Sequence, residues 1–255
     1  MIETVKSIVL QASKIMLNDD FSVKEKGTSS NLVTSNDIAV QAFLKQKLSA
    51  FFPSSGFYCE EGDENDLTKD YVWIIDPIDG TTNYAKHISV CCISVALEHE
   101  GEIILGVVYN PYQKMMFEAE KGKGAFLNGK PIHPTNIPMK ECVLYTAFSA
   151  YEKQYSHKAF QFAENVFPFV SDIRRTGSAA FEICSVACGR GDIYLEMKLQ
   201  VWDYAAASLI IKEAGGEICD LEGNPIEYSH PSFAIAANNK ENLDALRKIA
   251  YPYFK

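Results

Sequence analysis

The sequence predicts an α/β fold with helices packed outside sheets, and three observations carry that prediction. The first residues repeat apolar side chains at helical spacing. The middle of the chain is a series of apolar runs separated by turn residues, the pattern of an antiparallel meander. The second half alternates strand-like and helix-like segments, which implies layers with helices covering a sheet. With 255 residues, 47% of them hydrophobic, there is enough material for one large domain or two modest halves sharing a core.

Taken in order, Val5, Ile8, Val9, Ala12, Ile15 and Met16 predict an amphipathic helix over residues 2–17. Residues 24–36 are polar and read as a flexible loop. Thr34 and Asp37 stand in capping-box spacing and open a second helix, with Val40, Leu44, Leu48 and Phe51 on one face and Pro53 as its stop. The acidic run Cys59-Glu60-Glu61-Gly62-Asp63-Glu64 precedes an apolar, β-branched strand at 71–75, which Pro77 is expected to end. Gly80 permits a tight turn at its exit. Runs at 88–97 and 103–109 flank Glu98-His99-Glu100-Gly101, those at 115–119 and 125–127 flank Gly122-Lys123-Gly124, and Asn128-Gly129 closes the meander. The second half reads as strand 143–148, helix 153–166, strand 170–174, helix 178–188, strand 193–196, helix 204–214, strand 233–237 and a final helix from Asn239. A short Pro-flanked seam at 135–140 suggests an N-terminal half, 1–137, and a C-terminal half, 138–255, packed as one unit.

Composition narrows the function. The net charge is −9, from 24 basic and 33 acidic residues, and no Lys/Arg run could track a phosphate backbone, so nucleic acid is not an expected partner. Seven cysteines without paired spacing read as reduced core thiols; Cys91, Cys92, Cys184 and Cys188 lie in apolar runs. The N-terminus reads as a helix rather than a signal peptide, and no apolar stretch approaches the ~20 residues a bilayer requires. A cytoplasmic protein without a membrane partner is expected.

The chemistry concentrates in Trp73-Ile-Ile-Asp76-Pro-Ile-Asp79-Gly-Thr-Thr-Asn83. Asp76 and Asp79 sit on a rigid corner where a buried strand meets solvent, and like charges that close call for a cation between them. Hard, closely spaced oxygen ligands suit Mg²⁺. Asp-Gly is also ordinary turn chemistry, Asp203 at a helix start is also an N-terminal cap, and Asp37 is also the third member of a capping box. Taken together with Glu60-Glu61 and the amides of Gly80-Thr81-Thr82, these residues describe a multi-metal phosphate site. His87 and His133 are lone loop histidines with no companion for chemistry.

Three blocks carry a family resemblance: Cys59-Glu60-Glu61, the run from Trp73 through Asn83-Tyr84, and Trp202-Asp203-Tyr-Ala-Ala-Ala, with Arg175-Thr-Gly177-Ser-Ala179-Ala and Glu213-Ala-Gly-Gly216 beside them. The chain resembles the inositol monophosphatase family, within the metal-dependent, lithium-sensitive phosphatases that include fructose-1,6-bisphosphatases, and the match runs essentially end to end. The resemblance implies an αβαβα sandwich, a homodimer, and Mg²⁺-dependent hydrolysis of a small phosphomonoester, with inositol 1-phosphate the leading substrate. It implies two Mg²⁺ ions with room for a third. Glu60, Asp76 and the Ile78 carbonyl would hold the first, Asp76, Asp79 and Asp203 the second, and Glu61 a water or a weaker third. Thr81 with Asp37 would orient and deprotonate the attacking water, with Lys26 near the metal loop. Gly80 and Thr81 amides would grip phosphate, while Gly177, Ala179, Glu196 and Asp203 fall on the substrate side. Cys59 departs from the family's usual Gly, and Gly62-Asp63 from its usual Ser. Runners-up are the 2′-phosphate of NADP and fructose 1,6-bisphosphate on the same site. From another class, some bacterial relatives act as protein partners in transcription antitermination.

Overall fold

The computed structural model describes residues 1–62, 65–150 and 152–255; Asp63 and Glu64 of the acidic run lie outside the described residues. The first half runs α1 (Ile2–Met16), β1 (Val23–Glu25), β2 (Leu32–Thr34), α2 (Ser35–Phe51), β3 (Gly56–Cys59), β4 (Tyr71–Asp79), α3 (Thr81–Ala85), β5 (Cys92–His99), β6 (Glu102–Asn110), β7 (Met115–Glu120), β8 (Ala125–Leu127) and β9 (Lys130–Pro131). The second runs β10 (Val143–Thr146), α4 (Ser156–Val166), β11 (Asp172–Arg174), α5 (Ala179–Ala187), β12 (Ile193–Leu199), α6 (Val201–Glu213), β13 (Glu217–Cys219), β14 (Ser232–Ala237) and α7 (Lys240–Phe254).

β3 to β9 form a seven-stranded sheet in chain order. It is antiparallel except where β3 pairs parallel with β4. A five-stranded sheet has the order β11-β10-β12-β14-β13; β10 is parallel to both neighbours, and β14 is antiparallel to both of its own. Strand alternation sorts the side chains into layers. Trp73 and Ile75 of β4 face α1 and α2 with Val9, Leu44 and Leu48, whereas Val72 and Ile74 face α5 and α6 with Ile183 and Ala206. Tyr194 of β12 joins that central helical layer from the far side, while Ile193 and Leu195 meet Phe162 of α4 and Leu246 of α7. The result is the αβαβα sandwich. Each fully buried aliphatic such as Leu44 or Leu48 contributes about 2 kcal/mol by leaving water.

The central layer is thin because α6 is small-sided. Ala205, Ala206 and Ala207 are all buried, and a Cβ at Gly106 of β6 would stand 2.6 Å from the Ala206 carbonyl. That close approach fixes the height of the α6 N-terminus above the sheet.

Several elements differ from the sequence expectation. The polar stretch after α1 is a short hairpin, β1–β2, whose first strand has only exposed side chains. β3 and β13 are too short to leave a periodic signal. Phe51 is exposed, at the frayed end of α2. β5 starts at Cys92 rather than at Ile88, which is also exposed. Pro77 does not end its strand: β4 continues to Asp79 through a register shift, where a residue without an N–H costs no ladder bond. All seven cysteines are free thiols, six of them buried. Among the described residues no helix is long and apolar enough to cross a membrane.

Candidate active site

The register shift in β4 builds the site. Asp76 lies opposite Ser94 and Asp79 opposite Cys92, so three steps on β4 match two on β5. In an unbroken strand, positions three apart face opposite sides of a sheet. One extra residue brings Asp79 back to the Asp76 side, toward α5 and α6. Asp203 arrives there from the first turn of α6, where it closes a capping box with Gln200 and accepts the Gln200 N–H at 2.8 Å. Single carboxylate oxygens of Asp76, Asp79 and Asp203 all lie within 4.8 Å of one another.

Each carboxylate is oriented by the backbone. Asp79 accepts from Ser178 Oγ at 2.6 Å, Ala180 N at 2.8 Å and Ala179 N at 3.2 Å, which docks the start of α5 on the corner. Asp76 accepts the Ile78 N–H at 3.0 Å, inside the bulge. Glu60 follows β3, tied by its own N–H to the Ile75 carbonyl at 3.2 Å. Burial raises the Asp76, Asp79, Asp203 and Glu60 carboxyls above the usual range; for Asp76 and Asp203 the neighbouring carboxylates add to the rise. Lys26 answers part of this charge, reaching Glu60 at 2.9 Å and Glu61 at 2.5 Å from the β1–β2 hairpin. Glu61 is further fixed by its N–H on Gln41 Oε1 at 2.9 Å. Four crowded carboxylates with one ammonium at their edge are a donor set that fits hard divalent cations such as Mg²⁺. Cys59 sits in extended β3, paired with Ile75, so the position makes no demand for glycine.

A second polar pair adjoins the corner. Thr81 Oγ lies 3.2 Å from Asp37 Oδ1 and 3.1 Å from the Ile78 carbonyl, so one hydroxyl proton serves one of two acceptors. Asp37 is indeed the third residue of the α2 capping box, accepting the Thr34 N–H at 2.8 Å, and its other oxygen faces Thr81. Both readings of Asp37 therefore hold geometrically. Burial pushes its carboxyl up to about 6. Gly80 has φ +88°, and a Cβ there would meet the Gly177 and Val90 carbonyls at 3.1 Å, so only glycine closes this turn. The turn leaves the first amides of α3, including that of Thr81, without helical partners.

These residues open on a cleft of about 610 Å³ that Glu60, Asp76, Asp79, Thr81 and Asp203 line on one side. Gly177, Ala179, Glu196, Met197 and Lys198 line the other. Of the residues expected from the sequence, Asp37, Glu61 and Thr82 do not themselves line it. Glu196 takes the Tyr194 hydroxyl at 2.8 Å, and burial, reinforced by Glu182, raises its carboxyl to about 8. Glu182 was not picked out from the sequence. It is buried and accepts Thr176 N at 2.5 Å, Thr176 Oγ at 2.8 Å and Gly177 N at 3.1 Å, holding the loop that meets Gly80. Burial raises it to about 7. It is the one charged residue in α5, a helix that is apolar apart from it and Ser185.

Comparison with known proteins agrees with this geometry. A model of the inositol monophosphatase family matches residues 2–251. The chain is 36% identical over 242 residues to Nus factor SuhB of Escherichia coli, covering 90% of each chain. It is 33% identical over 252 residues to human inositol monophosphatase 1, covering 95% of this chain and 91% of that one. An IMPase structure from Thermotoga maritima superposes with a TM-score of 0.87 at 30% identity, over 98% of this chain and 96% of the other. A family match over residues 2–251, with a relative 33% identical across 95% of the chain, makes this chain a member of the inositol monophosphatase family.

Proposed function

We propose that the protein hydrolyses a small phosphomonoester with Mg²⁺, inositol 1-phosphate before the 2′-phosphate of NADP or fructose 1,6-bisphosphate. The convergence of Asp76, Asp79 and Asp203 within 4.8 Å is the observation that carries this reading. Glu60, Asp76 and the Ile78 carbonyl would hold one ion, Asp76, Asp79 and Asp203 a second, and Glu61 a third once Lys26 lets go. Bound there, divalent cations neutralise phosphate charge and lower the pKa of a water. Among the chain's own groups, the Gly80–Thr81 turn aims amides at phosphate oxygens. Thr81 Oγ orients the attacking water and passes its proton to Asp37, whose raised pKa suits it to accept near neutrality. The water oxygen bonds to phosphorus as the bond to the alcohol oxygen breaks, the departing oxygen takes a proton from solvent water to leave as the free alcohol, and no covalent phosphoenzyme forms. Glu196, Gly177 and Ala179 face the alcohol, and the Glu196 carboxyl offers a hydrogen-bond partner to its hydroxyls.

A second reading comes from the relatives named Nus factor, in which a protein partner rather than a phosphoester occupies the chain. The retained carboxylate corner supports hydrolysis over it. Release of phosphate from the three esters by purified protein, ranked by kcat/KM with and without Mg²⁺, tests the choice. Mg²⁺-dependent release that Asp79→Asn abolishes is expected; no release from any ester would overturn the hydrolase reading.

A further inference from the structure

A second bulge shapes the far wall of the cleft. Between Glu196 and Leu199, three steps on β12 match two on β14, from Ala234 to Ser232. Lys198 sits in this bulge with φ +55°, a left-handed conformation uncommon for lysine, which throws its side chain toward a segment whose described residues are 147–150 and 152–155. There its ammonium meets Glu152 at 2.7 Å and the Tyr155 hydroxyl at 3.0 Å, and lies 4.1 Å from the Tyr155 ring centre. One residue back, Met197 Sδ meets Ser149 Oγ at 3.0 Å. Ser149, Glu152, Tyr155 and Lys198 line the same cleft as the carboxylate corner. The other end of the segment is anchored separately, Phe148 stacking on Phe160 of α4 at 4.6 Å.

We propose that Lys198, through Glu152 and Tyr155, latches the far rim of the cleft over its alcohol side and so limits the size of the alcohol the site accepts. The proposal rests on the hydrolase reading and deepens it. With the latch closed, Glu196, Ser149 and Glu152 border the alcohol side of the cleft, so an alcohol that reaches past them has to part the Lys198–Glu152 contact. The ion pair is half-exposed, 52% for Lys198 and 43% for Glu152, so its opening costs little, and it acts as a gate on size rather than as a support for the fold.

The test uses the full chain with Lys198→Met, Glu152→Gln and the exchanged pair Lys198→Glu/Glu152→Lys. Two quantities are read: the ratio of kcat/KM for the 2′-phosphate of NADP over inositol 1-phosphate, and hydrogen exchange of residues 147–155. Each single variant is expected to raise the ratio about fivefold, the scale of one exposed ionic contact, and to speed exchange in the segment. The exchanged pair returns both toward the parent. Exchange unchanged in the single variants would overturn the latch whether or not either ester is hydrolysed. A ratio unchanged within twofold, or an exchanged pair that behaves like the singles, would overturn its role in selection. Failure of the parent to hydrolyse any phosphomonoester would sink the hydrolase reading instead, and with it the selection role, leaving the exchange rates to decide the latch.

Discussion

Two β-bulges face each other across one cleft, and the fold treats them oppositely. The β4 bulge is buried beneath α5 and α6; its carboxylates are held by backbone amides and by the Ser178 hydroxyl. The β12 bulge is half-exposed; its Lys198 is held by one ion pair and one phenol. Both insert one residue to redirect a side chain. The contrast separates two ways of holding a side chain: backbone amides and buried packing fix the charges of the inner bulge, whereas one half-exposed ion pair and one phenol hold the outer one.

The sharpest way to break the comparison is at the buried corner. Asp203→Asn is expected to lower kcat/KM by about a thousandfold or more, while its cap to Gln200 survives through the amide oxygen. The same change removes a buried charge crowded by Asp79 and Glu60, so the metal-free variant should melt no lower than the parent. A drop of many degrees would mean that the carboxylates support the fold rather than the chemistry. Next in size, Thr81→Ala should cut kcat by about a hundredfold with KM nearly constant, because Thr81 acts on the water. A large rise in KM at unchanged kcat would contradict that role.

A smaller effect concerns pH. Burial pushes the Glu196, Glu182 and Asp37 carboxyls up to about 8, 7 and 6, above their ordinary values of 4.5, 4.5 and 3.8. Because the folded values are raised, the stability each contributes is complete below its ordinary value and is lost as pH rises through the folded one. Metal-free protein, followed by calorimetry in chelator, should therefore melt several degrees lower at pH 8.5 than at pH 5. Glu182→Gln should flatten part of that slope; a slope of opposite sign would refute the burial assignment. The smallest effect is the fivefold change in ester preference at the exposed bulge.

Much of the buried corner was legible in the sequence, because Asp76, Asp79 and Asp203 sit in short motifs whose turn and cap chemistry is local. Asp37 was legible for the same reason, as a capping-box residue that also turns out to face Thr81. The bulge itself was not. Pro77 reads as a strand end, and only pairing with β5, some twenty residues of chain away, shows the strand continuing. The β1–β2 hairpin was hidden because its exposed side chains carry no alternation, and with it the grip of Lys26 on Glu60 and Glu61. The Lys198 contacts join residues more than forty apart through loops, where periodicity has nothing to say.

On our proposal, the β4 bulge gathers carboxylates into a divalent-cation site for phosphoester hydrolysis. Phosphate release from inositol 1-phosphate, titrated with Mg²⁺ in the parent and in Asp76→Asn, tests it most directly. No release in chelator is expected, with saturable activation by Mg²⁺ in the parent and activation lost or shifted to far higher Mg²⁺ in Asp76→Asn. Release that persists in chelator, or the same Mg²⁺ curve in both proteins, would contradict it.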